Sequence, residues 1–262
     1  MNFKNDFYIN IITDLIHDIF YSNISSRGRI SSIRQYTEIL IRKVLDLEKD
    51  EFVTVGHKNL KDKLISQSNN NELIISALNT IQELGNRYTH TQYTEIVSDA
   101  VQEDAFDALL DVSAYIFVNY FSHYKFGSNS NIMSNFSLLP PVLRYKVLNN
   151  LYKKDSTNTN IQDKLCLAIF KNEGEAKAYE WLKDQKQTLE NSPAYKGTMY
   201  DKCLEKIDML SRNNSGYIPI YKTFEEAISY FRAVGKIDSQ EPEIVEFNSI
   251  MELLYIGRQE SK

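Results

Sequence analysis

Apolar residues recur at helical spacing along most of the chain. Between Phe3 and Tyr21, for example, they fall three or four residues apart with carboxylates between them, which is typical of an amphipathic helix. The same pattern predicts helices over residues 3–21, 31–47, 60–67, from 71 through the region of 85, 98–126, 140–152, 160–171, 174–187, 200–212, 223–234 and 241–256.

A polar stretch separates two helical regions. Residues 127–137 read GSNSNIMSNFS, and serine, asparagine and glycine are typical of connections. We therefore divide the chain into a helical bundle at 1–126, a linker at 127–136 and a second helical region at 137–262. Only Phe52–Gly56 and Tyr217–Tyr221 suggest extended backbone, so the predicted fold class is all-α.

The second predicted helix has a recognisable start and a charged side. Ser22–Arg29 contains Ser, Asn and Gly and is interpreted as a loop, with Ser31 and Ser32 as candidate N-caps. Further along, charged residues follow at i, i+4 and i+8, a spacing that predicts a ladder of ion pairs on a solvated face. These residues are Arg34, Glu38 and Arg42.

The stretch Thr80–His90 holds the side chains with the most chemistry. If the helix that starts near Asn71 continues through it, Asn86 and Arg87 share a face with His90. A histidine beside an amide and a guanidinium can move a proton and hold a phosphate. The structural alternative is an Asn86–His90 hydrogen bond with Arg87 in solvent.

Gly85 interrupts the apolar stripe one residue before Asn86. Glycine in a helix interior is about 1 kcal/mol less favourable than alanine. Two explanations are open: the helix breaks at this position, or another group approaches its backbone closely.

Composition limits the classes of function. The 262 residues are 42% hydrophobic, enough for a large core, and the net charge is −5. Residues 1–126 carry 12 Lys and Arg against 17 Asp and Glu, while the remaining residues are balanced at 18 and 18. An acidic first half disfavours binding of duplex nucleic acid through a broad basic face, although a local basic pocket is compatible with it.

Cysteine and histidine usage predicts neither a metal site nor a cofactor. Cys166 lies in an apolar run and no C-x-x-C pair is present, so a buried reduced thiol is expected. The four histidines lie more than thirty residues apart, which gives no local metal-ligand spacing. Without a visible signal peptide or an apolar run of ~18 residues, we expect a cytoplasmic protein with no membrane partner.

The region from Ile33 to Phe121 resembles the HEPN superfamily, in particular the bacterial branch that is often found beside restriction enzymes. Three features carry the resemblance. They are the stretch Arg34–Leu45, the G-N-x-x-x-H pattern of Gly85–His90, and Glu103-Asp104-Ala105 near the start of the long fifth predicted helix.

The resemblance implies an all-α bundle that dimerises with its motif helices facing each other, and catalytic relatives that cleave RNA without metal. Their motif is an arginine followed, after four to six residues, by the histidine. The three positions that would hold that arginine are Gly85, Leu84 and Glu83. His90 and Asn86 match the pattern, whereas a substitute role for Arg87 is our own hypothesis.

Two functions follow. In the first, the protein belongs to a phage-defence or toxin-like system and acts on RNA, with His90 as general acid/base and Asn86 and Arg87 orienting phosphate. In the second, it is a non-catalytic interaction module, a homodimer that recruits a protein partner through residues 137–262.

Overall fold

The computed structural model describes residues 2–212 and 221–260 and is 70% helical, which confirms the all-α fold class. A 3-10 turn at Asn5–Phe7 precedes the first helix, and a two-residue antiparallel pair is the only sheet in the described part of the chain. The elements are α1 (Ile9–Phe20), α2 (Ser26–Val44), α3 (Lys58–Gln67), α4 (Glu72–Thr89), α5 (Asp99–His123), α6 (Ser130–Phe136), α7 (Pro141–Lys154), α8 (Thr159–Glu173), α9 (Glu175–Asp184), α10 (Lys186–Glu190), β1 (Pro193–Ala194), β2 (Gly197–Thr198), α11 (Met199–Ser211), α12 (Phe224–Val234) and α13 (Pro242–Tyr255).

The two segments expected to be extended are not strands where they are described. Residues 52–56 have no regular structure. Of the predicted segment at 217–221, only Tyr221 belongs to the residues that the structure describes, and the rest of that prediction lies outside them. No helix in the described ranges is both long enough and apolar enough to cross a membrane.

The chain forms two compact units. The first combines residues 1–120 with 245–259, and the second comprises 121–244 with 260–262. Residues 245–259 thus join the first unit, whereas we had placed all of 137–262 in one region. Aromatic packing accounts for this, because the Phe247 ring lies 6.0 Å from that of Phe117 and 5.5 Å from that of Tyr120.

The predicted linker at 127–136 contains a helix, α6. The Asn129 side chain caps it by accepting hydrogen bonds from the backbone N–H groups of Asn131 and Ile132. Ile132 and Phe136, four residues apart, are both buried. A composition typical of a loop therefore conceals one short amphipathic helix.

Helix α2 begins earlier than the serine pattern indicates. Its N-cap is Ser25, whose side chain accepts a hydrogen bond from the Gly28 N–H, and not Ser31 or Ser32. The extra turn and a half brings Ile30 into the core, where it is buried. It also places Arg27 on a helix instead of in the predicted loop.

The second unit is built on helices α7 to α12. Its centre includes Leu165 and Cys166 of α8, which are fully buried. Cys166 and Cys203 are both free and buried, which for Cys166 confirms the prediction from its apolar run.

Candidate functional site

The G-N-x-x-x-H motif lies at the end of α4. The helix continues through Gly85, Asn86 and Arg87 and ends at Thr89. His90 is the residue after the helix, with extended backbone angles of φ −90° and ψ 135°. The helix thus stops one residue short of His90, so helical periodicity does not hold His90 on the same face as Asn86.

The His90 side chain is exposed. It makes no hydrogen bond or ion pair with any other residue that the structure describes, and only its backbone carbonyl accepts one, from the N–H of Tyr93. The predicted alternative of an Asn86–His90 hydrogen bond is therefore absent from this part of the chain. The imidazole is left facing solvent, where an outside group can reach it.

Asn86 is instead bound by Arg34 of α2. Arg34 Nη1 donates to Asn86 Oδ1 at 2.9 Å, and Arg34 Nη2 donates to the carbonyl oxygen of Val55 at 2.9 Å. One guanidinium therefore joins α2, α4 and the segment that precedes α3. The motif amide takes part in holding the first unit together.

Gly85 makes this contact sterically feasible. A Cβ atom at position 85 would lie 2.8 Å from Arg34 Cδ and 3.0 Å from Arg34 Nη1. Of the two explanations that the sequence left open, the structure shows the second: α4 does not break, and the Arg34 side chain packs directly on its backbone.

The ladder predicted on α2 is present in part, but the prediction that its face is simply solvated is wrong, because its members also bind backbone groups. The Arg34–Glu38 ion pair is present at 3.8 Å, but Glu38 Oε1 also accepts from the Val55 N–H at 2.9 Å. Arg42 Nη1 and Nη2 donate to the carbonyls of Glu48 and Glu51 at 3.1 and 2.7 Å. These side chains fasten residues 48–55 to α2.

Arg87 has a different environment from Arg34. Its Nη2 lies 3.7 Å from Glu95 Oε1, and the two side chains are 46% and 53% exposed. Ion pairs this exposed contribute ~0 to 1 kcal/mol. Its guanidinium also lies 5.7 Å from the centroid of the Tyr88 ring, and no backbone carbonyl accepts a hydrogen bond from it among the described residues, so Arg87 is held less firmly than Arg34.

Arg27 fixes the connection between α4 and α5, a role that its place in a predicted loop did not indicate. Its guanidinium donates to the backbone carbonyls of Tyr88, Tyr93 and Glu95 at 3.1, 2.6 and 2.8 Å, and lies 5.5 Å from the centroid of the Tyr88 ring. Recognising Arg27 requires knowing that α2 begins at Ser26.

The segment held by Arg27 exposes apolar side chains. Ile96 is 92% exposed and Tyr93 is 38% exposed. Single exposed apolar residues are common on proteins. Here two of them share one tethered segment with His90, and we call His90, Tyr93 and Ile96 the α4-end surface.

Comparison of the chain with family models, curated proteins and solved structures gives no match. The HEPN resemblance, and the roles that it suggests for His90, Asn86 and Arg87, therefore stay predictions.

Proposed function

We propose that the first unit is a non-catalytic HEPN-like interaction module in which the α4-end surface pairs two copies of the chain. The observation that carries the proposal is the 2.9 Å hydrogen bond from Arg34 to Asn86. It engages the motif amide in the fold of the first unit and occupies one of the two acceptor positions of its oxygen.

Exposure and tethering support the pairing. Arg27 makes three hydrogen bonds to backbone carbonyls at Tyr88, Tyr93 and Glu95, so the segment is presented in a defined conformation. Ile96 projects from it almost fully into solvent. Burying such a side chain against a second copy contributes about 1.5–3 kcal/mol for each chain.

Replacing Ile96 by glutamate tests the proposal. We expect wild-type protein to sediment as a dimer and Ile96→Glu as a monomer, because the substitution places a carboxylate in an apolar contact. Ile11→Glu is the matched control: Ile11 is an exposed isoleucine on α1, 46% accessible, and its substitution is expected to leave the dimer intact. A monomeric wild-type protein, or a dimer that survives Ile96→Glu, would contradict the pairing.

One observation favours RNA cleavage as a second candidate function, that of a phage-defence or toxin-like protein. His90 is exposed without a side-chain partner among the described residues, and Arg87 is three positions away and held less firmly than Arg34. An imidazole can transfer the proton of a ribose hydroxyl. An exposed guanidinium can stabilise the charge that develops on the phosphate.

Incubation with structured RNA in a chelator tests this candidate. We expect wild-type cleavage to disappear in His90→Ala and to persist in His17→Ala, a control that removes another exposed histidine, on α1. Cleavage that persists in His90→Ala, or no cleavage by the wild-type protein, would reject the candidate and leave the interaction module.

A further inference from the structure

A cavity of about 390 Å³ lies within the second unit. Its volume is in the range of ~300–1,000 Å³ that is typical of small-molecule sites. Helices α7, α8 and α12 contribute side chains to its wall, as do the end of α6 and Tyr221.

Three cationic side chains line this cavity. Arg144 comes from α7, and Lys164 and Lys171 come from α8. The two lysines are seven residues apart, which places them two turns apart on the same face of the helix, with Leu167 of the wall between them. We call Arg144, Lys164 and Lys171 the cationic cluster.

Positive charges outnumber negative ones around the two lysines. Within the described ranges, neither Lys164 nor Lys171 forms an ion pair with a carboxylate. The carboxylate next to Lys164 in sequence, Asp163, is bound by Lys206 at 2.5 Å and by Lys202 at 3.4 Å. Asp163 still favours the charged form of Lys164, but this carboxylate is shared with two other lysines.

Burial and neighbouring positive charges lower the pKa values of both lysines. Burial, followed by the charges of Arg144 and Lys164, lowers the pKa of Lys171 to about 8. Burial also lowers the pKa of Lys164. Charged groups held in this way repel one another, and an anion placed among them would reduce the repulsion.

An aromatic wall completes the cavity. The rings of Tyr221 and Tyr230 are stacked, with centroids 6.0 Å apart and planes at 21°. Tyr230 is 47% exposed although it lines the cavity. A planar aromatic group of a ligand can stack on such a ring. Stacking of this kind stabilises bound nucleobases whatever the base.

We propose that this cavity binds a nucleoside phosphate, with the cationic cluster on the phosphate groups and the Tyr221–Tyr230 pair against the base. Lysine and arginine together bind phosphate by charge and by hydrogen bonds. This inference concerns the second unit alone and does not depend on the function proposed for the first.

Calorimetric titration of the full chain with ADP, pyrophosphate and adenosine tests the proposal. We expect ADP to bind most tightly, pyrophosphate more weakly and adenosine weakest, because only ADP engages both the cluster and the aromatic wall. Lys171→Met and Lys164→Met are each expected to weaken ADP binding about tenfold. Lys183→Met, the same change at an exposed position on α9, should leave it unchanged.

Proton linkage gives a second measurement. A bound phosphate raises the pKa of Lys171 from about 8, so ADP binding at pH 8 should take up protons, detected as a dependence of the heat on the buffer. We expect this uptake to disappear in Lys171→Met. Tyr230→Ala should weaken ADP binding and leave pyrophosphate binding unchanged.

Several results would overturn the proposal. They include no binding of ADP or pyrophosphate at millimolar concentration by the folded wild-type protein, and undiminished ADP binding in both lysine variants. Equal affinity for pyrophosphate and ADP would overturn the assignment of the base to the tyrosine pair.

Discussion

The two candidate sites use their cationic side chains differently. At the end of α4, arginine side chains donate hydrogen bonds to acceptors of their own chain. In the cavity of the second unit, the lysines form no ion pair with a described carboxylate. Arg34 reaches an amide oxygen and a backbone carbonyl, both at 2.9 Å. Lys171, in contrast, has a pKa lowered to about 8 by burial and by its neighbours Arg144 and Lys164.

The comparison separates cations that stabilise the fold from cations that we propose bind a ligand. A charged donor with fixed acceptors contributes to the free energy of unfolding, and its removal leaves those acceptors without a partner. A buried cation among like charges lowers the free energy of unfolding, so its removal should raise it. The two kinds of site should therefore respond oppositely to the loss of a positive charge.

Removing Arg34 should have the largest effect. Arg34→Ala deletes two hydrogen bonds from a charged donor and the bridge between α2, α4 and Val55, so we expect the free energy of unfolding to fall by about 2 kcal/mol. Urea denaturation measures this change. Arg87→Ala is the control, because its exposed ion pair with Glu95 should contribute less than about 0.5 kcal/mol.

A loss in Arg34→Ala as small as the one expected for Arg87→Ala would show that the Arg34 contacts do not stabilise the first unit. A loss confined to Arg34→Ala would establish that the motif amide of Asn86 belongs to the bundle.

Removing Lys171 should have an intermediate effect of opposite sign. The pKa of Lys171 is about 8 in the folded state and ~10.4 in an unfolded chain. Below pH 8 the lysine is charged in both states, and the folded protein bears the full destabilisation. Between pH 8 and pH ~10.4 the unfolded state binds more protons than the folded state, so the free energy of unfolding of the wild-type protein rises with pH.

We therefore expect Lys171→Met to be more stable than wild type at pH 7, by about 1 kcal/mol once solvent screening is allowed for. The difference should shrink as the pH rises through 8 and disappear above ~10.4. Thermal unfolding at a series of pH values measures it, with Lys183→Met as the control. A difference that does not vary with pH would contradict the depressed pKa.

Local patterns predicted much of the helical fold. Helices expected at 200–212 and 223–234 are observed at Met199–Ser211 and Phe224–Val234. Their ends agree because the signals are local: Thr198 and Thr223 each cap the helix that follows by accepting a backbone hydrogen bond.

Features that depend on tertiary packing were not predictable in the same way. Ser25 and Ser31 are chemically equivalent caps, and the choice between them is settled by the burial of Ile30 in the core. Likewise, the spacing of Arg34 and Glu38 shows that they share a face of α2. It does not show that the backbone of Val55 lies over that face.

The two candidate sites differ in the same respect. Asn86, Arg87 and His90 are close in sequence, and helical spacing alone suggested that they converge. The cationic cluster has no local motif, since Arg144 is on α7 and the lysines are on α8. Only the packing of two helices brings these charges to one wall, which is why sequence analysis predicted no site in residues 137–262.

Substitution of Gly85 should have the smallest effect and gives the sharpest comparison. Alanine favours a helix by about 1 kcal/mol over glycine, but its methyl group would lie 2.8 Å from Arg34 Cδ. Arg34 must then move and lose its hydrogen bonds. We expect Gly85→Ala to lower the free energy of unfolding by about 0.5–1 kcal/mol, the difference between these two effects.

Gly28→Ala is the matched control in the same unit. A Cβ atom at position 28 of α2 would meet no atom closer than 3.4 Å, so alanine should keep its helical advantage and raise stability. In an Arg34→Ala background, Gly85→Ala should change sign and stabilise the protein by about 1 kcal/mol, because the clashing side chain is gone. If Gly85→Ala destabilised the protein equally with and without Arg34, the glycine would serve some contact other than the close approach of that arginine.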